Sequence, residues 1–181
     1  MAEVAQRPKR VVKYKAAVFS GVLLVASLYP AAAVSAGSSS TVQCMAMEAA
    51  YSAAINSRTL VYPVVIERGW RATDLKQIVP QYRARLPLSR EEFEDLSKRE
   101  HLYNVDHFEP HCKWKGNPAP ARMDQMDPMI VSFSDPIMSA DNKLALVEVS
   151  FSHGSFGYGS MCVARARRNS WQAQCLPSWI T

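Results

Sequence analysis

Cys162-Val-Ala-Arg-Ala-Arg-Arg-Asn-Ser-Trp-Gln-Ala-Gln-Cys175 carries a cysteine at each end and two basic residues with an asparagine at its centre. A polar turn centred on Arg168-Asn169 folds it symmetrically and sets Cys162 opposite Cys175. Residues two apart share a face of a strand. In this register one face collects Cys162, Ala164, Ala166, Trp171, Ala173 and Cys175. The other collects Val163, Arg165, Arg167, Gln172 and Gln174, and is the face expected to meet water. Opposed Cα atoms of an antiparallel pair come within about 4.5–5.5 Å, inside bonding range. The stretch therefore predicts a hairpin closed by Cys162–Cys175.

Upstream of the hairpin the period of two continues, through Met129 to Ser134, Leu144 to Phe151 and Tyr158 to Arg167, before Ser170 to Cys175. Turns at Ser139 to Lys143 and His153 to Gly157 join these runs into an antiparallel meander. Ahead of it the pattern changes. Met45, Ala49, Ser52, Ala53 and Asn56 progress at helical spacing and predict a helix from Cys44 to Ser57. Leu60 to Ile66 is β-branched, but Pro63 removes a ladder donor and confines that strand to an edge or a bulge. Thr73-Asp74 opens a short helical turn ending before Pro80.

Ser89-Arg-Glu-Glu92 is a capping box, so a second helix runs from there to about Glu100 with its charges on a solvated face. Pro110, Gly116, Pro118 and Pro120 make Asn104 to Asp127 a long loop. The fold class expected is α+β, with N-terminal helices packed against a mainly antiparallel sheet that ends in a β-meander.

Four cysteines remain in the part of the chain so far described, an even number. Once Cys162 is given to Cys175, Cys44 and Cys112 are left to each other. The compartment follows from the N-terminus as well. Arg7, Lys9, Arg10, Lys13 and Lys15 precede the uncharged apolar run Ala16 to Leu28, and Ala31 to Ala36 are small. This order is that of an export signal, and it places signal peptide at 1–36, a flexible leader at 37–43 and a single disulfide-stapled domain at 44–181. The 21 residues from Ala16 to Ala36 would also suffice for an uncleaved anchor, against which Tyr29 and Pro30 argue. The expected location is periplasmic or secreted.

With residues 1–36 go five of the 21 Lys and Arg and one of the 16 Asp and Glu, which leaves 16 against 15 and a net charge of +1. A nucleic-acid partner, which needs a basic face, is not expected. Contact with a membrane is expected only through an uncleaved export signal.

The motifs that invite chemistry each have a structural explanation. His107-Phe-Glu-Pro-His111 has the i, i+4 spacing of a helical zinc pair, but Pro110 interrupts the turn and Cys112 is already assigned. Neither a metal nor a cofactor is expected. Gly154 to Gly159 resembles a phosphate loop but lies between two strands, where its glycines are read as supplying positive φ for a hairpin. Trp171 belongs to the inner face by parity. Trp179 either packs back on the sheet or forms an exposed binding patch.

Phe133-Ser-Asp-Pro-Ile137, Ala140 to Val149, Gly157-Tyr-Gly159, Trp171 and Trp179-Ile180 together resemble a group of uncharacterised exported bacterial proteins with a C-terminal antiparallel meander ending in a Trp-Ile motif. A weaker echo lies at Pro87 to Phe93. The resemblance implies an α+β fold and an envelope location, and it implies no activity.

Two functions compete. The first is a non-enzymatic binding or envelope-associated module whose partner is a protein or an envelope polymer, engaged through Asn104 to Asp127. The second is a secreted hydrolase or metal-dependent enzyme using His107, His111 or His153. No catalytic constellation is assembled by the sequence, so the first is preferred.

Overall fold

The computed structural model describes residues 40–67, 69–104, 108–119 and 129–181. The export signal read over residues 1–36 and the histidine at 107 lie outside them. The elements in chain order are helix α1 (Thr41–Ala54), strands β1 (Val61–Tyr62) and β2 (Val65–Ile66), helices α2 (Pro80–Arg83) and α3 (Arg90–Arg99), and strands β3 (Asn117–Pro118), β4 (Ile130–Phe133), β5 (Ile137–Met138), β6 (Leu144–His153), β7 (Phe156–Arg167) and β8 (Ser170–Ile180). The fold is α+β, with helices packed on a mainly antiparallel sheet.

That sheet runs β2-β4-β6-β7-β8, with β5 also on β6. Only β2 and β4 are parallel within it. The hairpin register is the one derived from parity: Cys162 opposite Cys175, Ala164 opposite Ala173 and Ala166 opposite Trp171. Arg168 takes φ 44° in the two-residue turn. β8 runs on to Ile180, five residues beyond the strand expected from the sequence.

α1 begins at Thr41, not within a flexible leader reaching to residue 43. Ser40 caps it: its hydroxyl accepts from the Gln43 N–H, and the Gln43 side chain accepts from the Ser40 N–H. Ser40-Thr-Val-Gln43 is thus a second capping box, and it moves the helix three residues toward the N-terminus. The other capping box is formed as expected, with Ser89 and Glu92 exchanging bonds at the start of α3.

Pro63 has a larger effect than confining a strand to an edge. It divides Leu60 to Ile66 into β1, which pairs with β3, and β2, which pairs with β4. A ring without an N–H at the junction leaves each half free to find its own partner.

Two cores sandwich the sheet. On one face α1 sets Met47, Ala50 and Tyr51 against Val131, Phe133, Val147, Val149, Phe151 and Cys162. On the other, Leu75, Leu86, Phe93 and Leu96 cover Leu144, Leu146, Met161 and Val163. Val163 is only 2% exposed, so the outer face of the hairpin is not wholly given to water. The helix α3 that covers it also uses some of its charges. Glu92 forms a two-pronged pair with Arg165, and Asp95 accepts from the Ala140 N–H. The Arg165 contact holds the Glu92 carboxyl below the usual carboxylate range.

Candidate functional site

Both cysteine pairs are joined, Cys44–Cys112 and Cys162–Cys175. Two disulfides mean that the domain matures in an oxidising compartment. Among the described residues, no helix is long and apolar enough to cross a membrane.

The Cys44 bridge is one of several ties on the loop from which partner capture was expected. Phe108 is buried in the α1-side core, Trp114 stacks on Phe133 with ring centroids 5.5 Å apart, and Asn117–Pro118 pair with β1. One turn along α1 from Cys44, the Glu48 carboxylate accepts the Lys115 N–H. Glu48 is 3% exposed, and burial raises its pKa although the Lys115 contact opposes the rise. The stretch 108–119 is therefore structural, and removing it would remove a disulfide and part of the core.

Of the histidines named in the enzymatic reading, His107 lies outside the described residues, and His111 and His153 belong to no group of ligands among the described ones. Among the described residues, no set of three His, Cys, Asp or Glu side chains is placed to hold a metal. His111 is exposed and 3.7 Å from Glu109. His153 ends β6, and its Nε2 is buried with no hydrogen-bond partner among the described residues. Cys112, the remaining ligand candidate, is spent in the disulfide.

The glycines between β6 and β7 divide their work. Gly154 has φ +58° and serves the turn. Gly159 has no positive φ; a Cβ there would lie 2.2 Å from Trp179 Nε1, so its smallness makes room for the indole. A bulge in β8 between its pairings with Ser160 and Gly159 leaves Ser178 as the extra residue. Ser178 Oγ and Trp179 Nε1 both donate to Glu148 Oε1, at 2.7 and 2.8 Å. Trp179 thus packs back on the sheet while remaining 37% exposed.

Asp135 is a further buried acid that the sequence reading passed over. It lies between β4 and β5, is 5% exposed and accepts from Gln43 Nε2 at 3.3 Å. Burial pushes its pKa up to about 7.

A further surface feature is the outer edge of β8. This strand ends the sheet, and among the described residues none pairs with its far side. Arg167 and Ser170 flank the turn as the first hydrogen-bonded pair. Antiparallel alternation then points the N–H and C=O of Trp171, Ala173 and Cys175 away from β7. Pro177 falls on an outward position too, where its missing N–H does not break the β7 ladder. Edge strands are usually guarded by charge. From Ser170 to Thr181 there is no charged residue.

A groove of about 540 Å³ accompanies this edge. Ala49 and Ala53 of α1, with Arg58 and Leu60 beyond it, form one side, and Trp171 to Gln174 the other. Arg165 and Arg167 of β7 also line it, and among the described residues no Asp or Glu does. Parity directed attention to the faces of this hairpin. The sequence feature that accompanies its edge is the twelve-residue run without charge.

Compared with protein-family models, with curated proteins and with solved structures, the chain matches none.

Proposed function

We propose that this protein is a periplasmic or secreted, non-enzymatic binding module whose partner is a protein or a polymer of the envelope. The observation that carries the reading is the groove along the unpaired edge of β8. A strand edge beside a helix offers backbone donors and acceptors in a fixed row and side-chain contacts next to them, the elements by which folded domains hold extended ligands. The two disulfides and the core on each face of the sheet support it by keeping that edge rigid, which lowers the ordering cost of binding. The binding surface is assigned to β8 and not to the loop 104–127, because the described part of that loop is consumed in holding α1.

The test is an amide NMR titration of the exported, oxidised protein with peptidoglycan fragments, anionic polysaccharide and extended peptides, run beside a panel of chromogenic ester, peptide and glycoside substrates. Shifts concentrated on Trp171 to Cys175 and on Ala49 to Leu60, without turnover, are expected. Turnover that disappears on replacing His111 or His153 would establish the hydrolase instead.

A further inference from the structure

Resting on that reading, we infer that the occupant of the β8 groove is an acidic, extended polypeptide segment that adds to the sheet as its next strand. Three features converge on this ligand class.

The first is the backbone. Trp171, Ala173 and Cys175 present three outward N–H and three outward C=O groups at the period of a β-ladder. Only another extended backbone satisfies both kinds of group in that spacing. Pro177 closes the row at one end and the Arg168-Asn169 turn closes it at the other, so the docked segment is about six to eight residues long at 3.2–3.4 Å per residue.

The second is shape. Ala49, Ala53 and Ala173 place methyl groups where larger side chains would fill the groove. A strand laid against β8 directs alternate side chains toward α1, where these alanines leave space for β-branched residues.

The third is charge. Arg58 and Arg167 are exposed at the groove, no carboxylate among the described residues lines it, and β8 itself contributes no charge. Arg165 is already matched by Glu92. Arg167 also borders a second hollow lined by Glu91, Glu92, Asp95 and Asp141, so Arg58 is the main source of the preference, and on the groove side the two arginines select acidic flanks on the ligand over basic ones. They also disfavour a second copy, since pairing β8 with β8 brings like charges toward the same interface.

The probes are the acetylated nonapeptide Glu-Glu-Val-Thr-Val-Thr-Val-Glu-Glu and its counterpart with lysine in place of each glutamate, each titrated into the oxidised full-length exported protein. The acidic peptide is expected to bind at least tenfold more tightly at low salt and to slow hydrogen exchange at the Trp171, Ala173 and Cys175 amides. Ala173→Pro removes the central outward N–H and is expected to weaken binding tenfold or more. Because that variant can also disturb the hairpin, Arg58→Glu combined with Arg167→Glu provides a second readout, and it is expected to invert the preference between the peptides. Equal affinity for both peptides, or binding without protection of those amides, overturns the inference. Protection that grows with protein concentration alone, together with a dimer in sedimentation, assigns the edge to a second copy and overturns it too. If neither peptide binds while envelope polymer still shifts β8 resonances, the peptide inference fails and the binding-module reading stands.

Discussion

The two disulfides join regions built on opposite plans. Cys162–Cys175 lies inside a hairpin whose strands already oppose each other residue by residue, and it closes a separation of 13. Cys44–Cys112 closes a separation of 68 between a helix and a segment whose described residues, 108–119, hold only a two-residue strand. Around it are contacts that likewise reach far along the chain: Glu48 to Lys115, Gln43 to Asp135 and Trp114 to Phe133. The meander is fixed by neighbours in sequence, while the α1 side is fixed by distant polar and covalent ties. The same covalent bond is therefore a reinforcement in one region and a principal support in the other.

The largest effect is expected from replacing each pair of cysteines by serine. In the chain-entropy model, loss of Cys44–Cys112 costs about 4 kcal/mol and loss of Cys162–Cys175 about 3 kcal/mol. The gap should widen in the protein, because without its bridge the hairpin keeps its hydrogen bonds while the stretch 108–119 loses its main anchor. Urea unfolding under non-reducing conditions measures both. A larger loss for the Cys162/Cys175 pair would reverse the assignment of roles.

Asp135 makes the stability of the α1 side depend on pH. Its folded-state pKa of about 7 lies above the ordinary 3.8, so the folded protein holds this proton more tightly than the unfolded chain does. Its contribution is most favourable below pH 4 and is lost as pH rises through 7, with a ceiling on the order of 4 kcal/mol. Asp135→Asn should flatten this part of the stability profile and raise stability at pH 8 relative to the parent. A parent and variant that show the same pH dependence would place the acid in contact with water.

Glu48 gives the smaller effects. Glu48→Ala leaves the Lys115 N–H without its carboxylate acceptor and should cost about 1–3 kcal/mol. Glu48→Gln keeps an acceptor in place and should cost about 1 kcal/mol or less. Denaturant midpoints at pH 7 separate the two, and equal losses would show that the Glu48 charge, and not its hydrogen bond, holds the segment.

The comparison also explains what could be read without coordinates. The meander was legible because a strand pair carries its own register: parity sorted Cys162, Ala164 and Ala166 from Arg165 and Arg167, and aligned the cysteines at the same time. The α1 region resisted because its determinants are single residues answering others tens of positions away. Nothing near Glu48 in sequence marks it as the acceptor for Lys115, and nothing near Asp135 announces its burial beside Gln43. Ser40-Thr-Val-Gln43 was a local signal that was missed, since the serine-rich stretch before it reads as leader. Trp179 showed the limit of composition, because its two readings were separated only by the bulge that turns it toward Glu148 and the space left by Gly159. As for the candidate site, the reading that placed partner contact at Asn104 to Asp127 did not single out the charge-free run of β8, and the groove needed Ala49, Ala53 and Arg58 brought beside that strand by the fold.

The unequal spans of the two bridges also set an order of assembly. Contacts between near neighbours form before those that must close a long loop. Refolding from the reduced chain, quenched with acid at successive times, should therefore trap Cys162–Cys175 before Cys44–Cys112. The chain would then complete its covalent closure from the C-terminal end backward, and α1, the first element of the domain to be synthesised, would be the last to be locked in place.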